Sequence, residues 1–233
     1  GFNSFGKLDR LALSITKKQE RAYDLDVLRQ TITLAFLSHH LAGLTRNSVV
    51  AVIGDGFASM TTLLLASEFA KCVILVNLNR TLLVDLLFFE KWASYEPISH
   101  DVNLVVDGEG AESFLNSERQ QGVVAIQASN HALLSQFPID LAINMVSMQE
   151  MDPPVIADYF ADMRAVDTNR ALPFYCCNRE EKRLPDGTIT RFTDYPWRDE
   201  DQVLIDELCP WNQQYYSVTP PFYRPYDGAV RHR

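Results

Sequence analysis

The stretch VVAVIGDGFASM, Val49–Met60, decides the fold. Its first five residues form a short, β-branched apolar run, which reads as a strand buried on both faces. Gly54 and Gly56 then bracket Asp55. Residues without a Cβ let the backbone turn tightly and come close to a ligand. The small and aliphatic residues from Ala58 to Ala70 read as a helix, expected to begin near Phe57 with its first amides unpaired. Strand, glycine turn and helix together make a common cradle for nucleotide-like molecules. The spacing alone is weakly specific, because Ser59 stands where a dinucleotide site of the form G-x-G-x-x-G places its third glycine.

Working outward, apolar residues at three- and four-residue steps predict a helix over Asp24–Leu44, punctuated by Gly43. After the glycine turn and its helix, CVILVN (Cys72–Asn77) reads as a second buried strand, which completes a βαβ unit. An apolar helix follows at Thr81–Trp92, and residues 96–121 read as an excursion from the sheet. Strand signals return at Val123–Ala128, Ile139–Val146 and Ala171–Asn178. A short helix is expected at NHALLSQF, and another beginning at Pro153 and Pro154, since proline suits a first turn. Strands alternating with helices predict an α/β fold with a doubly wound, Rossmann-like mixed sheet. It carries an N-terminal helix and a C-terminal extension with a hairpin at KRLPDGTITRF, and a late strand is expected near Gln214–Val218. We expect a single domain: a helical segment over 1–48, a ligand-binding core over 49–178, and a hairpin with an aromatic tail over 179–233.

The 233 residues, 47% hydrophobic and 22% charged, have the balance of a folded globule. A formal net charge of -9 and the lack of any basic block argue against a nucleic-acid partner. No apolar run approaches the ~20 residues of a membrane span. The opening GFNSFGKLDR has no secretory-signal pattern, and its lack of a methionine is expected of a processed or shortened chain. Cys72, Cys176, Cys177 and Cys209 lack C-x-x-C spacing and two are adjacent, so reduced thiols in the cytoplasm are expected. The oligomeric state stays open, a homo-oligomer included.

The later motif NMVSMQEMDPP (Asn144–Pro154), together with the glycine turn, ILVNL (Ile74–Leu78) and FYCCN (Phe174–Asn178), resembles the sugar O-methyltransferase family of class I, S-adenosylmethionine-dependent methyltransferases. The likeness runs in order over about Val49–Asn178, and SMQEM after an apolar strand is its most specific piece. It implies S-adenosylmethionine as cofactor and a small-molecule sugar or glycoside as methyl acceptor. By that likeness the cofactor-binding residues are Gly54, Asp55, Gly56, Asn77, Gln127 and Asn144. The chain departs from the family pattern at Val52, where a glutamate is usual, at Asp55 and Ala58, where glycines are, at Asn77 for aspartate, and at Asn79 for proline. Asp55 either restores the carboxylate that Val52 lacks or serves the turn itself, since aspartate tolerates unusual turn dihedrals.

Methyl transfer to a hydroxyl needs orientation and removal of a proton, so a histidine or carboxylate base is expected within hydrogen-bond reach. Glu150 is the first candidate, in a place where partial burial would raise its pKa, and His131 is the second. Gln149 reads as an orienting group, and Arg179, Lys182, Arg183 and the Tyr215–Tyr216 pair as acceptor contacts. The carboxylates Asp152, Asp158 and Asp162 have the spacing of a solvated helix face, so no metal is expected. The replacements at Val52, Ala58, Asn77 and Asn79 keep an alternative open: a methyltransferase-like binding or scaffold protein without turnover.

Overall fold

The computed structural model describes residues 2–41, 44–97, 100–117, 120–166, 171–226 and 228–233, so Gly43 lies outside the described residues. The helices are α1 (Phe2–Lys18), α2 (Leu25–His40), α3 (Ser59–Ala66), α4 (Asn79–Ala93), α5 (Gly108–Leu115) and α6 (Pro153–Ala165). The core strands are β1 (Val49–Ile53), β2 (Cys72–Asn77), β3 (Val102–Val105), β4 (Gly122–Gln127), β5 (Leu141–Met145) and β6 (Phe174–Arg179). Beyond them come β7 (Glu181–Arg183), β8 (Ile189–Arg191), β9 (Glu207–Leu208), β10 (Gln214–Tyr216), β11 (Tyr223–Pro225) and β12 (Val230–His232).

Eight strands form one sheet in the order β3, β4, β2, β1, β5, β6, β12, β9. The strands from β3 to β6 run parallel, and β12 is antiparallel to both β6 and β9. The sheet is the doubly wound, Rossmann-like mixed sheet that the alternation predicted. Its core shows why each strand reads as an unbroken apolar run. Val50 and Val52 pack with Leu34, Leu64 and Phe89 in the layer of α1 to α4, while Val49, Ala51 and Ile53 pack with Phe137, Ile156 and Phe160 on the other face. Successive side chains point to opposite faces, so a strand covered on both sides has no polar position left.

Two expectations need correction. Residues 96–121 are no excursion, for they contain β3 and α5. β3 is an edge strand whose Leu104 is exposed, so neither a buried run nor an alternation announces it. The N-terminal region holds two helices, with Leu8, Ala12 and Ile15 giving α1 its own buried stripe at helical spacing. The short helix expected at NHALLSQF forms, wound as 3-10 turns within Ala128–Gln136. The hairpin at KRLPDGTITRF forms as β7 and β8, and the late strand is β10, paired with β11. No described helix is long and apolar enough to cross a membrane, and all four cysteines are buried and unpaired.

Candidate functional site

In an open parallel sheet, ligands bind beyond the carboxyl ends of the strands where the chain winds in opposite directions on either side. β1 is that point here, with β2 on one side and β5 on the other. The turn leaving β1 is unusual in its backbone. Gly54 and Gly56 both have φ +73, Phe57 +59 and Ala58 +48. Across the crevice, Val146 follows β5 with φ +61, a left-handed conformation that a β-branched residue rarely adopts. Strained backbone of this kind gathers at functional sites and persists only where its surroundings hold it.

The two glycines do different work. A Cβ on Gly54 would lie 2.2 Å from the Ser147 hydroxyl oxygen, so Gly54 is glycine to admit Ser147. A Cβ on Gly56 would meet nothing within 4 Å, so this glycine faces open space and supplies left-handed backbone there. Ser147 donates to the Ile53 carbonyl at 2.9 Å, and the buried Asn144 amide donates to the same carbonyl at 2.9 Å and to the Ser147 hydroxyl.

A network continues from Asn144 across the strand ends. Asn178 donates to the Asn144 side-chain oxygen at 2.8 Å and accepts from the Gln149 amide at 3.1 Å. Gln149 in turn accepts from the Arg179 amide at 2.8 Å. The SMQEM turn is therefore a clamp that ties β5 to β1 and β6, with Asn144 and Gln149 fully buried inside it. Glu150 contradicts the expectation of partial burial. Its side chain is 49% exposed and forms an ion pair with Lys182 at 3.2 Å.

Asp55 caps helix α3 from within the turn. Its two carboxylate oxygens accept from the Met60 amide at 2.9 Å and the Thr61 amide at 2.7 Å. Two amides in the first turn of the helix, which begins at Ser59, are thus already satisfied. Asn77, at the end of β2, donates to Asp85 at 2.7 Å and accepts from the Leu78 amide at 2.9 Å. Asp85, fully buried on α4, also accepts from the Ala58 amide at 3.2 Å. Burial foremost, and then the nearby Asp55, push the Asp85 carboxyl up to about 7. Burial raises Asp55 as well, against the pull of the two helix amides and Arg21. Arg21 closes the outside of the turn, donating to the Ser59 hydroxyl at 3.0 Å, with its guanidinium 4.4 Å from the Phe57 ring centre.

The sequence-predicted residues therefore divide. Gly54, Asp55, Gly56, Asn77 and Asn144 gather around the carboxyl end of β1. Gln127 is beside Asn77 in register and is exposed. His131 is held on the α6 side of the sheet, hydrogen-bonded to Asp162, with its ring 4.6 Å from the Tyr159 ring and tilted against it. Val52 lies in the α1 to α4 layer, between Leu75 and Ile143. Asp85, Ser147 and Arg21 were missed. Only Asp85 left a signal, as the lone acid in the apolar run Leu82–Phe89.

No protein-family model and no curated protein matches the sequence. Among solved structures, the chain superposes on a Bacillus halodurans protein assigned as a methyltransferase with TM-score 0.36 and 14% identity, over 66% of this chain and 54% of that one. It therefore spans about half the length of that structure. It superposes on a Leishmania major SAM-dependent methyltransferase with TM-score 0.45 and 10% identity, over 87% and 71% of the two chains. A glycopeptide N-methyltransferase, MtfA, complexed with sinefungin gives TM-score 0.41 and 13% identity, over 87% and 75%. These likenesses are weak.

Proposed function

We propose that the chain is an S-adenosylmethionine-dependent O-methyltransferase acting on a hydroxyl of a sugar or sugar-containing metabolite. The observation that carries this reading is the left-handed turn after β1, opening to free space at Gly56, at the point where the sheet reverses its winding. The strand ends around it fit an adenosyl group better than a pyrophosphate. With Asp55 on the Met60 and Thr61 amides, α3 offers no empty anion cradle, and a dinucleotide needs one. Asn77 spends one donor and one acceptor on its neighbours and keeps one of each for ribose hydroxyls. Gln127 presents an exposed amide at the end of β4 for the base.

The bound cofactor supplies an electrophilic methyl group on a sulfonium. The chain's part is to hold the acceptor hydroxyl in line and take its proton. Glu150 and His131 remain the candidate bases, with Glu150 exposed and therefore accessible to an acceptor. The buried, unpaired cysteines fit a reducing compartment such as the cytoplasm.

A second reading, a methyltransferase-like binding protein without turnover, is favoured by one observation: Asp55, Asn77 and Asp85 are spent largely on one another and on the backbone. Thermal unfolding with S-adenosylmethionine or S-adenosylhomocysteine tests both. Ligand at one hundred times its dissociation constant should add ~2.7 kcal/mol to stability, and Gln127→Ala should reduce the gain. No shift at saturating ligand would exclude the cofactor. Where binding is found, Glu150→Gln or His131→Gln should cut turnover by roughly 10²-fold or more for whichever is the base. Undiminished turnover in both would remove these candidates, and binding with no turnover on any sugar acceptor would favour the second reading.

A further inference from the structure

We infer that the acceptor carries an oxyanion, a phosphate or carboxylate, held by Arg29 and Arg179; this inference rests on the methyl-transfer reading for its word acceptor, but not for the anion site itself. Arg29 on α2 and Arg179 at the end of β6 stand beside the same ring, with their guanidinium carbons 5.3 and 4.8 Å from the Tyr226 centre. Arg29 is only 5% exposed. It donates to the Tyr226 hydroxyl at 2.8 Å, to Asp26 at 2.6 Å and to the Gln214 carbonyl. The Nε atoms of both arginines are buried without a hydrogen-bond partner. Arg179 is in no ion pair among the described residues, so the pair holds two cations against the single carboxylate of Asp26.

Buried donors without acceptors, and a cation without a counter-charge, carry a desolvation cost that a bound anion offsets. The guanidinium fork matches phosphate and carboxylate oxygens in particular. The location ties the pair to the switch point. Gln30, next to Arg29, donates to the Asp55 carbonyl at 3.4 Å, and the Arg179 backbone is clamped by Gln149. Thus Arg29 is one residue along α2 from a contact with the glycine turn, and the Arg179 backbone is tied to the SMQEM turn. The local excess of positive charge in a chain of net charge -9 would also select an anionic molecule from a mixture. A purely structural pair, clamping the tail through Tyr226, accounts for the ring contacts but leaves both Nε atoms without a hydrogen-bond partner and Arg179 without a carboxylate among the described residues.

Isothermal titration of the whole chain at low salt, with no cofactor present, tests the inference using glucose 1-phosphate, glucuronate, glucose and inorganic phosphate as probes. One of the two anionic sugars should bind at least tenfold more tightly than glucose, and which one does so identifies the oxyanion. Arg179→Gln should lose at least tenfold of that affinity while its unfolding midpoint in urea stays near that of the wild type, and Arg179→Lys should restore part of it. Equal affinity for glucose and both anionic sugars, no binding of any anionic probe, or full affinity in Arg179→Gln would each overturn the proposal. Because these titrations omit the cofactor, anion binding without any response to S-adenosylmethionine would reject methyl transfer and leave the anion site standing.

Discussion

Gly54→Ala is expected to destabilise the protein by roughly 2–4 kcal/mol, through forced left-handed backbone and overpacking. The new Cβ would lie 2.2 Å from the Ser147 hydroxyl oxygen and 2.4 Å from its Cβ, and φ is +73. Neither neighbour can yield easily. The Ser147 hydroxyl is fixed by the Ile53 carbonyl and the Asn144 amide, and the glycine amide itself donates to the Val76 carbonyl at 2.8 Å. Urea denaturation measures the loss. Adding Ser147→Gly removes the collision but leaves the backbone strain, so the double variant should recover about 1–2 kcal/mol relative to the sum of the singles. A Gly54→Ala protein within 0.5 kcal/mol of the wild type, the range of ordinary surface changes, would show that the turn can rearrange around Ser147.

The second large effect follows from the acid pair behind the turn. Burial holds the folded-state Asp85 carboxyl at about 7, against 3.8 for a free aspartate. The folded protein therefore binds a proton more tightly than the unfolded chain does. That preference stabilises the fold fully below about pH 4 and is lost as pH rises toward about 7, by an amount on the order of a few kcal/mol. Asp85→Asn cannot titrate. The stability of the wild type minus that of Asp85→Asn, measured in urea at several pH values, should fall between pH 4 and 8. A difference that stays constant or grows with pH would sink the assignment. Asp55→Asn removes the neighbouring charge and should flatten the fall, since the second cause of the Asp85 shift is Asp55.

The fold was legible because its central strands are buried on both faces and so read as apolar runs, from VVAVI through FYCCN. The strands that escaped notice were either short or at an edge. β9 has two residues and β12 three, too few for any periodicity, and β3 exposes Leu104. The site was legible as a place more than as a set of roles. GxG after a strand located the turn, but the need for glycine at position 54 comes from Ser147, distant in sequence and visible only in space. Asp55 was left between a ligand carboxylate and a turn residue, and the two amides it accepts from give it a backbone duty. Asn77 offered no hint of Asp85, because a buried acid on the next helix cannot be paired with it by spacing alone.

Strand β12 has a consequence for the order in which the molecule assembles. Its antiparallel ladders join β6 on one side to β9 on the other, yet about fifty residues separate it from β6 along the chain. Pairing over such a separation is entropically slow. Until it happens, β6 is the edge of the parallel sheet, and β9, whose only partner in the sheet is β12, has nothing to dock against. A nascent or partly unfolded chain therefore exposes a bare, apolar edge at Tyr175 and Cys177, the kind of edge on which chains aggregate. The last strand to arrive works as a keystone, and substitutions that weaken it, such as proline at Arg231, should lower the yield of soluble protein.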